Sequence, residues 1–330
     1  MALETLARRD TADAAFLADV HAGLALPQKA LSPKYFYDAT GSRLFDRICR
    51  LPEYYPTRTE LGILKARAAD IGACAGPHAA LVEFGSGSSE KVRLLLDAMD
   101  APAAYVPIDI SGPHMREAVA RLAGAYPRVA MVPVEADFTR AITLPPLEAR
   151  GRRLGFFPGS TIGNFTPEAA QDFLAHAAQV LGRQAAFVVG FDLAKDAAVL
   201  DAAYNDAQGV TAAFNLNLLA RINRELGADF DLAAFRHRAF YDPVPGRVEM
   251  HLESLAGQTV RIAGQAIAFR RGETIHTENS YKYAPARFAT LAAAAGWQVH
   301  ALWTDPRHWF AVALLEPAGR GAGPTASGAT

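Results

Sequence analysis

The chain has 330 residues, of which 51% are apolar and 20% charged, with a formal net charge of −1. These values describe a globular protein with a sizeable core, enough for one large domain or two ordinary ones, and they exclude a chain drawn to nucleic acid or anionic lipid by its overall field. No apolar run approaches bilayer length and no basic run tracks a phosphate backbone, so we expect no membrane and no nucleic-acid partner. Met1 to Asp13 mixes acids and bases without the apolar region of a signal peptide, which makes a cytoplasmic protein the expectation. Cys49 and Cys74 are too few for a disulfide framework and read as buried thiols.

In chain order, residues 13–25 read as a short helix. The aromatic stretch Tyr35-Phe36-Tyr37 follows, then a helix from Ser42 to Cys49, with Leu44, Phe45 and Ile48 at helical spacing. Leu51 to Arg58 reads as a second aromatic loop, held between Pro52 and Pro56, and Thr59 to Cys74 as a helix. From residue 79 the pattern becomes strand–helix alternation. Nearly continuous apolar runs at 79–84, 104–110, 129–135, 154–158 and 185–191 are those of parallel strands covered on both faces. Thr166-Pro167-Glu168 opens the clearest helix, with Thr166 as cap and Pro167 at the first helical position. After Asp192 a long helical stretch, broken near Gly209, leads to antiparallel strands between Arg247 and Tyr283. A helix from Pro285 to Ala295 and two strands, 297–303 and 309–315, close the chain.

This pattern predicts an α/β fold: a doubly wound, Rossmann-like sheet with a second α+β domain. The expected boundaries are 59–194 plus 285–317 for a cofactor-binding domain and 1–58 plus 195–284 for a substrate-binding domain. The tail 318–330, rich in Gly, Ala, Ser and Thr, is expected to be disordered. A terminal strand pair closing a parallel sheet is similar to the ending of class I methyltransferases.

Leu81 to Lys91 carries the strongest functional signal. A strand runs into Gly85-Ser86-Gly87-Ser88-Ser89 and then a helix, the place where such a sheet binds a nucleotide-like cofactor. Glu90 stands where a dinucleotide fold needs its third glycine. Glu83 at the strand end repels phosphate but suits a cationic ligand, which fits S-adenosylmethionine, a nucleoside with a sulfonium and an amino-acid tail. Asp109 ends the second strand roughly 20 residues beyond the turn, where ribose hydroxyls are held; otherwise it is a helix cap. Asp137 follows the third strand with Phe138, placed for an adenine amine and ring; otherwise it is a loop acid. Asn164, in Gly159-Ser160-Thr161-Ile162-Gly163-Asn164, lies after the fourth strand and serves either substrate contact or turn chemistry equally well by placement. Glu278 and Ser280 share one face of a candidate strand by alternation. The nine histidines show no ligand spacing, and no metal site is expected.

Together these stretches resemble the S-adenosylmethionine-dependent histidine Nα-methyltransferases of ergothioneine biosynthesis. The resemblance is carried by Pro33 to Asp38, Leu51 to Glu60, Gly85 to Lys91, Gly159 to Asn164, Gly209 to Asn215, Arg224-Glu225-Leu226 with Asp229-Phe230-Asp231, and Trp303 to Pro306. It implies a two-domain enzyme that adds three methyl groups to the α-amino nitrogen of L-histidine, giving hercynine and S-adenosylhomocysteine, and we expect a monomer without a metal. By position, Asn164 and Tyr204 resemble the residues that hold the substrate's amino and carboxylate groups. Tyr37 and Tyr54 resemble the aromatics near the amine and ring, with Tyr37 placed also to touch cofactor. Glu278 and Ser280 resemble the imidazole readers, with Met250 packed beside them. Glu83, Gly85, Ser86, Gly87, Lys91, Asp109, Asp137 and Phe138 correspond to cofactor contacts. Phe84 and Asn279 depart from the family pattern. The alternatives are an N-methyltransferase for another amino acid or small amine, and a non-catalytic binding module built on the same fold.

Overall fold

The computed structural model describes residues 14–86, 89–147 and 151–319. Gly87 and Ser88 of the glycine turn, the segment Met1–Asp13 and the tail beyond residue 319 lie outside the described residues. Contacts divide the chain into a first unit, Met1–Arg58 with Ala194–Lys282, and a second unit, Thr59–Leu193 with Tyr283–Thr330.

The first unit opens with helix α1 over residues 14–24, a 3-10 turn at Pro33–Phe36 and helix α2 at Ala39–Ile48. Tyr35 and Phe36 are buried, so part of the aromatic motif is core. Asp38 caps α2 by accepting from Gly41 N at 2.6 Å, and also accepts from Asn217 at 2.9 Å and Arg224 at 2.6 Å. Helix α3 spans Tyr55–Ala75 and starts earlier than the sequence pattern indicates. Pro56 does not delay it, because the first turn has no use for the N–H that proline lacks. Arg58 donates to the Leu51 and Pro52 carbonyls and fixes the loop before the helix.

The second unit then builds its sheet: β1 (Ala80–Phe84), α4 (Ser89–Ala98), β2 (Ala104–Asp109), α5 (Gly112–Ala125), β3 (Ala130–Met131), β4 (Val134–Glu135), β5 (Arg153–Phe157), α6 (Pro167–Leu181) and β6 (Ala186–Asp192). The third run, expected as one strand over 129–135, is two short pieces on either side of Val132-Pro133. Both pair with β2, and Pro133 has no N–H with which to continue the ladder.

The chain returns to the first unit with α7 (Ala197–Tyr204), α8 (Val210–Leu226), β7 (Phe235–Asp242), β8 (Arg247–Ser254), β9 (Gln258–Ile262), β10 (Gln265–Phe269) and β11 (Thr274–Tyr281). Gly209 breaks the helical stretch as a left-handed cap at φ 68°, while Asp206 accepts from Val210 N and Thr211 N, both at 2.8 Å. Strand β7 was not evident from sequence, because Arg236, His237 and Arg238 blur its alternation. It completes an antiparallel sheet in the order β11-β8-β7; β9 and β10 form a separate ladder.

The second unit closes with α9 (Pro285–Ala294), β12 (Trp297–Thr304) and β13 (Phe310–Pro317). Its sheet runs β12-β13-β6-β5-β1-β2-β3. The β1, β2, β5 and β6 pairings are parallel, and β13 is antiparallel to both neighbours. This is the expected α/β fold. Leu81, Leu154 and Val188 have no exposed surface; each such side chain contributes about 1.5–3 kcal/mol. That packing fixes the carboxyl ends of β1, β2 and β5, where the candidate cofactor residues lie.

Candidate active site

In the second unit, Gly85 leaves β1 at φ 74°, a conformation that favours glycine. A side chain there would meet the Phe138 ring at 3.5 Å, so the structure brings the glycine turn and Phe138 together. Glu83 is 2% exposed and accepts from the Tyr105 hydroxyl, which lies 3.1 Å from Ser86 Oγ. Burial pushes the Glu83 carboxyl up to about 7, against the pull of the Tyr105 hydrogen bond and the Lys91 charge. Its carboxyl therefore secures the turn from below.

Lys91 is held in the same way. Its ammonium lies 2.5 Å from Glu60 Oε2, and Glu60, with no exposed surface, also accepts from Gly159 N at 2.9–3.0 Å through both oxygens. A side chain at Gly190 would approach Glu60 Oε1 to 2.0 Å, so any larger residue there must displace the Glu60 carboxylate. Glu60 thus ties α3 to α4 and to the end of β5. Sequence reading gave it no role; it sits one turn before Ile63 and Leu64, which are core.

Asp109 accepts from Ser111 N at 2.7 Å, and Asp137 from Thr139 N at 3.0 Å and the Thr139 hydroxyl at 2.5 Å. Both acids therefore also do the local turn work weighed as the competing reading. Beyond β5, Ser160 holds a left-handed φ of 58°, and its hydroxyl accepts from Asp192 N at 2.9 Å. That strained turn leads to a 3-10 turn, Thr161–Asn164. Asn164 is half-buried, and its amide has no hydrogen-bond partner among the described residues. Thr166 caps α6 as expected, accepting from Ala169 N at 3.2 Å.

In the first unit, ring contacts link the candidate tyrosines. Tyr37 meets Phe45 edge-on at 5.7 Å, Phe45 meets Tyr54 at 6.4 Å, and Tyr54 meets Tyr204 at 6.3 Å. Burial, reinforced by Tyr204, Cys49, Glu278 and Tyr37, raises the Tyr54 phenol well above its ordinary value, so it stays protonated at neutral pH. Across β8 and β11, Glu278 stands opposite Met250 and Ser280 opposite Val248. Glu278, Ser280 and Met250 therefore share a face, as alternation indicated.

A β-bulge at Thr277 sets that register. The Thr277 hydroxyl lies 2.8 Å from Asn215 Oδ1 and 3.0 Å from Met250 O, which share its one proton, while Asn215 Nδ2 donates to His251 O at 3.0 Å. Asn215, wholly buried on α8, thus anchors the bulge that precedes Glu278. The Glu278 carboxyl is half-buried and has no hydrogen-bond partner among the described residues. Loss of water pushes it up to about 7, with the Lys282 charge opposing. The Tyr204 hydroxyl donates to Ser280 Oγ at 2.7 Å, so residues expected at opposite ends of the substrate touch each other.

Asn279 stands opposite Glu249, on the other face of the sheet. The same face gathers Glu249, His251 and His276, whose ligand-type atoms lie within 4.8 Å of one another. The expectation that no histidines cluster is corrected here: strand pairing sets His251 opposite His276, which sequence spacing does not reveal. Arg247 and His251 already donate to Glu249, and the two imidazole rings lie 4.9 Å apart at 30°, packed against each other.

A family model described as histidine-specific methyltransferase, SAM-dependent, matches residues 16–317. The chain is 46% identical to the histidine N-alpha-methyltransferase of Mycolicibacterium smegmatis over 92% of this chain and 96% of that protein. It is 43% identical to the protein of the same name from Mycobacterium tuberculosis, with the same coverage. Identity to ergothioneine biosynthesis protein 1 of Neurospora crassa is 30%, over 81% of this chain and 31% of that protein. With a match that spans both units, the chain belongs to the S-adenosylmethionine-dependent, histidine-specific methyltransferases.

Proposed function

We propose that the protein trimethylates the α-amino nitrogen of L-histidine to hercynine, a step of ergothioneine biosynthesis, with S-adenosylhomocysteine as by-product. The observation that carries the choice of histidine is Glu278: a partly desolvated carboxyl without a hydrogen-bond partner among the described residues, on the same face as the Ser280 hydroxyl and Met250. A carboxylate and a hydroxyl complement the two nitrogens of an imidazole, and a site built this way strongly rejects rings that leave its polar groups unpaired. The set Gly85, Ser86, Asp109, Asp137 and Phe138, with Gly87, suits S-adenosylmethionine, since acids at strand ends favour ribose hydroxyls and an adenine amine over phosphate. When bound, that molecule supplies an electrophilic methyl group, and no metal is called for.

The protein's own part is positioning. Asn164 and Tyr204 orient the α-amino and carboxylate groups so that the amine lone pair is aligned and water is excluded, the Tyr204 oxygen accepting an amine N–H because its own proton is given to Ser280. Each attack needs a neutral amine. Tyr54, kept protonated by burial, serves as a hydrogen-bond donor and not as the phenolate base. Tyr37 completes the aromatic wall beside it through Phe45.

Purified protein incubated with S-adenosylmethionine and each amino acid in turn tests this reading by mass spectrometry. Histidine alone should gain three methyl groups. Methylation of another amino acid in preference to histidine would establish the alternative substrate, and no methylation of any would leave a binding module.

A further inference from the structure

Lys282 lies one alternation step beyond Ser280, after β11, and is 3% exposed. Its ammonium donates to Ser280 Oγ at 2.8 Å and to the Tyr204 hydroxyl at 3.1 Å, and sits 4.9 Å from the Tyr204 ring centre. An ammonium only donates, and a serine oxygen has two lone pairs and one proton. Ser280 Oγ accepts from both Lys282 and Tyr204, so both lone pairs are filled and its own proton must point elsewhere. Glu278, on the same face, offers an acceptor that no described residue uses.

We propose that Lys282 is a specificity-determining positioning residue: by saturating Ser280 as an acceptor together with Tyr204, it forces Ser280 to be a donor, so that Ser280 and Glu278 present one donor and one acceptor and select a neutral imidazole ring. Without Lys282 the Ser280 hydroxyl can turn and accept as readily as it donates. The pocket then loses its discrimination at one ring nitrogen only. This rests on the reading of Glu278 and Ser280 as the imidazole partners.

Two substrate analogues separate the roles. Pyrrolylalanine keeps a ring N–H but lacks the bare nitrogen that Ser280 would serve; thiazolylalanine keeps a bare nitrogen but lacks the N–H that Glu278 would take. In the unaltered enzyme, kcat/KM for histidine should exceed that for either analogue by at least roughly tenfold, the cost of one unpaired buried group. Lys282→Met should shrink the histidine/pyrrolylalanine ratio by about tenfold and leave the histidine/thiazolylalanine ratio unchanged. Two unchanged ratios, or two that fall by the same factor as in general loosening, would overturn the proposal. Tyr204→Phe removes the other donor to Ser280 and must lower the pyrrolylalanine ratio as well, so the idea remains testable if Lys282→Met does not fold. Glu278→Ala separates the two levels. If it leaves the thiazolylalanine ratio intact, the imidazole reading fails; if it collapses that ratio while Lys282→Met changes nothing, only the role of Lys282 fails.

Discussion

Two acids of the second unit, Glu60 and Glu83, and one of the first, Glu278, are used in opposite ways. In the second unit Glu60 and Glu83 are buried and fully engaged, Glu60 by Lys91 and Gly159 N, Glu83 by Tyr105. In the first unit Glu278 is half-buried and loses enough water to raise its carboxyl to about 7, and that carboxyl has no hydrogen-bond partner among the described residues. A desolvated carboxylate costs free energy unless something pairs with it. The second unit recovers that cost at Glu60 through Lys91 and Gly159 N, and in part at Glu83 through the Tyr105 hydrogen bond. The first leaves it unrecovered until a ligand arrives, which is the mark of a recognition site.

Four substitutions can break or sharpen this contrast. Glu60→Ala should have the largest effect: it strands the Lys91 charge and the Gly159 N–H, costing about 3–5 kcal/mol of stability, as broken buried pairs do. Denaturant titration checks it, and a loss below 1 kcal/mol would deny Glu60 its framework role. Asn164 tests the exception within the second unit, an amide without a hydrogen-bond partner among the described residues. Asn164→Ala should cut turnover by at least roughly 100-fold by misplacing the amine, while calorimetry finds cofactor binding intact; lost cofactor binding would move Asn164 to the other ligand.

Glu83→Gln should act through pH. The Glu83 carboxyl moves from 4.5 to about 7 on folding, so between those values the folded chain binds more protons than the unfolded one. Stability accordingly falls as pH rises through that window, by at most about 3 kcal/mol for this group. The Gln variant should flatten the decline of Tm between pH 5 and 8, and an unaltered slope would show that Glu83 does not contribute to it. Gly85→Ala should be the mildest, costing about 1–2 kcal/mol for a left-handed alanine, with the added methyl in ordinary contact with Phe138; a stability equal to that of the parent would mean the turn relaxes.

Much of the second unit was legible because its strands are apolar runs and its turn residues are few. The break at Pro133 was missed: its signal, a residue without an N–H, was masked by the apolar run around it, and one strand was expected. What sequence could not show were contacts made by distant residues. Glu60 meets Lys91 and Gly159 only once the sheet exists, and His251 meets His276 only through strand register. In the first unit, β7 was hidden because a polar residue on its inward face, His237, is satisfied inside the fold by bonds to Tyr204 O and to Asn215. Lys282 was within reach of simple alternation, two residues past Ser280 and four past Glu278. The Thr277 bulge was not, since only its partners on α8 and β8 define it.

The central claim is that Glu278 waits for the imidazole of histidine. Calorimetric titration of histidine into Glu278→Ala, saturated with S-adenosylhomocysteine, tests it most directly. The account predicts histidine affinity at least roughly tenfold below that of the unaltered enzyme, with S-adenosylhomocysteine affinity unchanged. Equal histidine affinity in the two proteins would contradict it.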